Sequence, residues 1–81
     1  MLLAVDVGNT GITLGAFEGE ELRATWHIAT GIHQMPDEYA ALLFNLLHQQ
    51  GLDTPDIKGI ALCSVVPPLI ATFEDLFQRY F

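Results

Sequence analysis

Apolar positions along this chain come first in short runs, then in alternation with polar residues, and then at helical spacing, and the change of rhythm marks out its elements. Leu2 to Val7 is apolar except for Asp6 and predicts a first strand. Gly8-Asn9-Thr10-Gly11 then reads as a tight hairpin turn into a second strand, Ile12 to Phe17. Glu18-Gly19-Glu20 is a further turn. From Glu21 to Ile28 polar and apolar residues alternate, with Leu22, Ala24, Trp26 and Ile28 on one face of a half-buried third strand. Three such strands in succession predict an antiparallel meander.

The rhythm changes after a loop at Ala29 to Met35. Pro36-Asp37-Glu38 suits the first turn of a helix, because proline loses nothing there and two acids favour its positive end. Tyr39, Leu42, Leu43, Leu46 and Leu47 form its apolar stripe, and Gly51 ends it as a C′ glycine. A polar turn at Asp53 to Asp56 leads into Ile57 to Val66, an almost unbroken apolar run of the kind found in parallel strands buried on both faces. Pro67-Pro68 stops that run and opens a second helix, with Leu69, Phe73, Leu76, Phe77 and Tyr80 on one side. The order β-β-β-α-β-α implies a right-handed crossover that lays the fourth strand against the first. It resembles the opening of the ribonuclease H-like α/β fold, also used by actin-like ATPases. That fold continues with another strand and helix, so residues 1–81 read as the amino-terminal part of one such domain, truncated before them, with a second domain outside this chain.

Composition narrows the picture. The chain has 81 residues, 51% hydrophobic and 16% charged, which excludes disorder. A domain of this size buries only about 60–65% of its unfolded surface, so apolar surface is left over for another segment, domain or subunit. The net charge is −7, with Arg23, Lys58 and Arg79 as the only Lys or Arg residues. Such a balance argues against a nucleic-acid backbone or an anionic membrane as partner. Cys63, the single cysteine, forms no intrachain disulfide, fits a reducing cytoplasm, and reads as a small buried hydrophobe. There is no basic and apolar leader, and no apolar run approaches the ~18 residues of a membrane span.

Asp6 is the residue that strand packing does not account for. A carboxylate in an apolar strand is costly to desolvate without a partner, and a metal ion or ordered phosphate supplies one. Backbone N–H groups of the adjoining turn can converge on an anion, Thr10 adds a hydroxyl, and Asp6 can hold a hydrated Mg²⁺ beside the phosphates. Gly-Asn turns are common and most bind nothing; the carboxylate is what tips the reading toward nucleotide handling. With so few cations, backbone amides, a metal, or basic groups from elsewhere must neutralise the phosphates.

Three segments carry a more specific likeness: Ala4-Val5-Asp6-Val7-Gly8-Asn9-Thr10, Asp37-Glu38-Tyr39, and Cys63-Ser64-Val65-Val66-Pro67-Pro68-Leu69. Together they resemble the amino-terminal part of the type III pantothenate kinases, in the acetate kinase, sugar kinase, Hsp70 and actin superfamily, over the whole chain. The resemblance implies ATP-dependent phosphorylation of pantothenate, the first step to coenzyme A, by a cytoplasmic homodimer using Mg²⁺ and a monovalent cation, K⁺ or NH₄⁺. It places Asp6, Gly8, Asn9 and Thr10 in the first phosphate loop, Asp6 organising metal and phosphates and the other three touching phosphate. The family's general base, an aspartate in a Gly-Ala-Asp-Arg segment, and most of the pantothenate pocket fall outside this chain. The chain departs from the family pattern at Gly11, where a polar residue is frequent, at His27, where Arg follows the tryptophan, and at Met35-Pro36, where a Thr often precedes the acidic pair.

The remaining polar residues read more simply. His27, His33 and His48 lack ligand spacing and belong to the surface or loops. Asp37 and Glu38 are helix-end charges, Trp26 packs on the sheet, and Ser64 is a candidate hydroxyl at a strand end. Phe77, Tyr80 and Phe81 form an apolar end that suits either core or a contact with another part of the protein. A ribonuclease H-like nuclease would need a second carboxylate where Cys63-Ser64 stands. A non-enzymatic nucleotide-binding or interaction module is the alternative to a kinase.

Overall fold

The computed structural model describes residues 1–31 and 33–81; Ile32, in the loop expected between the third strand and the first helix, lies outside them. Strand β1 (Leu2–Val7) pairs antiparallel with β2 (Gly11–Glu18), which pairs antiparallel with β3 (Glu21–Ala29). Helix α1 (Pro36–Gln49) and a 3₁₀ turn (Thr54–Asp56) lead to β4 (Gly59–Ser64), which pairs parallel with β1 and precedes α2 (Pro67–Tyr80). The sheet order is β3-β2-β1-β4, the arrangement of a ribonuclease H-like, actin-like ATPase half-domain. Strand and helix limits agree with the sequence pattern to within about two residues, the usual uncertainty of an element end.

Alternation in the strands decides where everything else goes. Leu3, Val5 and Val7 of β1 and Ile12 and Leu14 of β2 are buried, and both helices pack on that face through Tyr39, Leu43, Leu47, Leu69, Phe73 and Leu76. Tyr39 and Phe73 join the two helices at the centre, ring centroids 4.9 Å apart, and Phe73 also meets Phe77 at 5.8 Å. Helix α1 ends as the sequence predicts. Gly51 takes φ +74°, with its N–H on His48 O and the Leu52 N–H on Leu47 O, a Schellman closure. At the chain end Phe44 packs against Tyr80 and Phe81. Among the described residues no helix is long and apolar enough to cross a membrane.

Three expectations are corrected. Leu22 does not share a face with Ala24, Trp26 and Ile28. A β-bulge shifts the register between Ala16 and Phe17, so Ala16 faces Ala24 but Phe17 faces Leu22. The one-residue slip turns Leu22 to the opposite side of the sheet, where it is 50% exposed. β4 is not buried on both faces: it is the edge of the sheet, with Ile60, Leu62 and Ser64 half-buried and Ala61 and Cys63 exposed. Cys63 is therefore an exposed thiol, not a buried hydrophobe. The helix-free face, which also carries Leu2, Ala4 and Phe17, holds part of the leftover apolar surface, and Met35 and Val65 expose more of it.

Two outcomes follow from this packing. Phe73→Ala, which empties the joint between the helices, is expected to cost about 3–5 kcal/mol, read as a lower urea midpoint at unchanged slope. The Tyr80 hydroxyl donates to the Asp37 carboxylate, and that hydrogen bond raises the phenol above its usual pKa. The fold thus favours the neutral phenol. Its contribution is full below about pH 10 and is lost as pH rises through the folded-state value. An unfolding midpoint followed upward from neutral pH is expected to fall at the alkaline end, and less steeply in Tyr80→Phe.

Candidate active site

Because Leu3, Val5 and Val7 point into the core, Asp6 points out of it, onto the helix-free face. It sits at the carboxyl end of β1, opposite Thr13 of β2 and Cys63 of β4. Asp6 lies at the border of an apolar groove of ≈ 240 Å³ that runs over Ala4 and Gly15 between Phe17 and Leu22. Gly15 forms part of its floor, since a Cβ there would come within 3.2 Å of Leu22 and 3.3 Å of Phe17. The strand ends stay together beyond the ladder, where the Val65 N–H donates to Val7 O at 3.1 Å. Carboxyl ends of neighbouring strands are where open α/β sheets bind ligands.

The turn follows directly. The Gly8 N–H donates to Gly11 O at 2.9 Å. Gly8 is favoured by closeness rather than by a positive φ, because a Cβ there would stand 3.1 Å from Gly11 O, tight enough that the turn would have to give by a few tenths of an ångström. With the Gly8 amide engaged, the N–H groups of the exposed Asn9 and Thr10 have no protein acceptor among the described residues. They and the Thr10 hydroxyl are the donors free to meet an anion. Thr30, at the end of β3, holds the other side: its hydroxyl donates to Gly8 O at 2.7 Å and its N–H to Thr10 O at 3.4 Å. The sequence reading missed Thr30, which carries no local motif.

Helix N-termini are the usual competing anion sites, and both are closed here. Helix α2 begins with Pro67 and Pro68, which have no N–H, and the next amide, Leu69, donates to Val66 O. Helix α1 places Asp37 and Glu38 in its first turn, with Glu38 accepting from the Met35 N–H at 2.8 Å. Ser64 is likewise engaged: its hydroxyl donates to Val66 O and accepts from the Val66 N–H.

Charge around the turn agrees with the sequence expectation. Arg23 pairs with Glu18 at 3.1 Å, and Arg79 lies 3.4 Å from both Asp37 and Asp75. Asp37 is the largest cause of a raised Arg79 pKa. Lys58 precedes β4, at the opposite end of the sheet from the turn. His27 shares a hydrogen bond with the Thr13 hydroxyl, and His27, His33 and His48 are exposed. No group of three or more His, Cys, Asp or Glu able to hold a metal occurs among the described residues. The register partner of Asp6 is Cys63, so the carboxylate pair of a two-metal nuclease is not formed there. A lone exposed carboxylate beside free amides fits a hydrated Mg²⁺ carried mainly by phosphate oxygens, the mode that cation prefers.

Comparison with known proteins gives one consistent result. A family model described as type III pantothenate kinase matches residues 2–81. A type III pantothenate kinase from Dehalococcoides mccartyi is 49% identical over 80 residues, 99% of this chain and 30% of the relative. One from Thermomicrobium roseum is 48% identical over 80 residues, 99% of this chain and 31% of the relative. One from Roseiflexus castenholzii is 47% identical over 81 residues, 100% of this chain and 32% of the relative. The chain thus spans about a third of the length of these curated relatives.

The turn geometry separates its two glycines. Gly8→Ala is expected to force the turn open and lose about 1 kcal/mol or more, one hydrogen bond and its neighbours. Gly11→Ala, whose Cβ would lie 3.7 Å from Ile28 O, is expected to stay within about 0.5 kcal/mol of the parent. Denaturant titration of both variants reads the difference.

Proposed function

This chain belongs to the type III pantothenate kinase family, and from that premise we propose that the protein phosphorylates pantothenate with ATP, giving 4′-phosphopantothenate, the first step of coenzyme A biosynthesis. Residues 1–81 act as the amino-terminal part of a ribonuclease H-like domain and supply its first phosphate loop; a second domain outside them completes the site. The observation that carries this reading is the free pair of amides at Asn9 and Thr10 beside Asp6, at a sheet end where both helix N-termini are closed.

Phosphoryl transfer depends on positioning and charge neutralisation rather than on covalent help from the protein. The Asn9 and Thr10 amides and the Thr10 hydroxyl donate to phosphate oxygens. Gly8 shapes the turn and lets the chain pass close to the phosphates. Asp6 would hold a hydrated Mg²⁺, which would offset phosphate charge that Arg23, Lys58 and Arg79 do not meet. The base that takes the pantothenate hydroxyl proton and the basic groups that finish neutralisation come from outside residues 1–81, as do the ligands of a monovalent cation, K⁺ or NH₄⁺. The intact enzyme works as a homodimer in the cytoplasm, with pantothenate and ATP as its partners and neither nucleic acid nor membrane.

Asp6→Ala removes one exposed carboxylate and no core contact. In the intact protein, turnover is expected to fall about 10²-fold or more while thermal unfolding stays within the range of a surface substitution, about 0.5 kcal/mol. Near-parental turnover would overturn the assignment of Asp6, and absence of pantothenate phosphorylation in the parent would leave a non-enzymatic nucleotide-binding module as the reading.

A further inference from the structure

We infer that Thr30 is a positioning residue that sets the geometry of the Gly8–Gly11 turn, and that Tyr39 buttresses it from the core. Thr30 grips both sides of the turn, through its hydroxyl on Gly8 O at 2.7 Å and its N–H on Thr10 O at 3.4 Å. The next residue, Gly31, is clamped in turn: its N–H donates to the Tyr39 hydroxyl at 2.9 Å, and that hydroxyl donates to Gly31 O at 3.0 Å. Tyr39 is fully buried and packs against Phe73 with the rings tilted at 39°. A continuous path of contacts therefore runs from α2 through Tyr39, Gly31 and Thr30 to the backbone beside Asp6.

The physical logic is preorganisation. An exposed two-residue turn tip pays ordering entropy on meeting a ligand unless something already holds it. Here Gly8 O and Thr10 O are both turned toward Thr30. Carbonyl oxygens held on that side cannot swing toward an approaching anion, and the Asn9 and Thr10 amides stay presented. The Tyr39 hydroxyl both donates and accepts on one residue, which fixes Gly31 more firmly than a single hydrogen bond would. This rests on the proposed phosphate role of the turn.

The test compares Thr30→Val, Thr30→Ser and Tyr39→Phe in the intact protein by two readouts. Hydrogen exchange of the Gly8 amide, which is paired to Gly11 O within the turn, measured without nucleotide, reports the brace itself. Steady-state kinetics report KM for ATP and for pantothenate separately. Thr30→Val is expected to speed exchange in the turn and raise KM for ATP, each about tenfold, with KM for pantothenate unchanged. Thr30→Ser restores both, and Tyr39→Phe moves both in the direction of Thr30→Val. Unchanged exchange in Thr30→Val overturns the brace and leaves the phosphate reading standing. Faster exchange with an unchanged KM for ATP overturns the positioning role, and with it the turn as the phosphate site.

Discussion

A β-strand has two faces, and β1 cannot serve both with the same chemistry. Its three odd residues, Leu3, Val5 and Val7, are at most 2% exposed and anchor the packing of both helices. Asp6, between the last two, is thereby directed to the opposite face with no freedom to choose otherwise. Every other feature of the site inherits that constraint. The antiparallel neighbour returns through the Gly8–Gly11 turn, the parallel neighbour brings the β4 end alongside, and the carboxylate stands where the three meet.

The second determinant is subtraction. Backbone N–H groups are the donors an acidic chain can offer an anion, and this fold closes both helix N-termini. Pro67 and Pro68 strip α2 of its first amides, and Asp37 and Glu38 make the α1 end repel anions. The hairpin turn is left as the presented set. Its shape comes from one close approach, Gly8 to Gly11 O, and from Thr30. The same acids are not idle. Asp37 accepts from Tyr80 and pairs with Arg79, tying the start of α1 to the end of α2.

Much of this was legible in the sequence because it depends on local rules. Apolar runs either side of a Gly-Asn turn located β1 and β2, period-two alternation located β3, Pro36 and Gly51 bracketed α1, and the apolar run before Pro67-Pro68 located β4, which the crossover rule set beside β1. Asp6 stood out as a charge that strand packing does not require. What escaped is what only the assembled sheet decides. The bulge that turns Leu22 over belongs to the pairing of Ala16 and Phe17 with β3, and nothing in the residues from Glu21 to Ile28 announces it. Cys63 and Ala61 are as apolar in sequence as a doubly buried strand would be, yet β4 is an edge with one face open. Thr30 and Tyr39 act over separations of 22 and 8 residues, through contacts that no short motif encodes. The comparisons with relatives fix the family and leave the roles of individual residues to geometry.

The central claim is that the turn after Asp6 receives the phosphates of a nucleotide, and the most direct measurement is a crystal structure of the intact protein with Mg²⁺ and a non-hydrolysable ATP analogue. The account predicts phosphate oxygens at about 2.7–3.2 Å from the Asn9 and Thr10 amides, with Mg²⁺ joined to Asp6 through water. Phosphates bound at another element, with the Asn9 and Thr10 amides still facing solvent and Asp6 away from the metal, would contradict it.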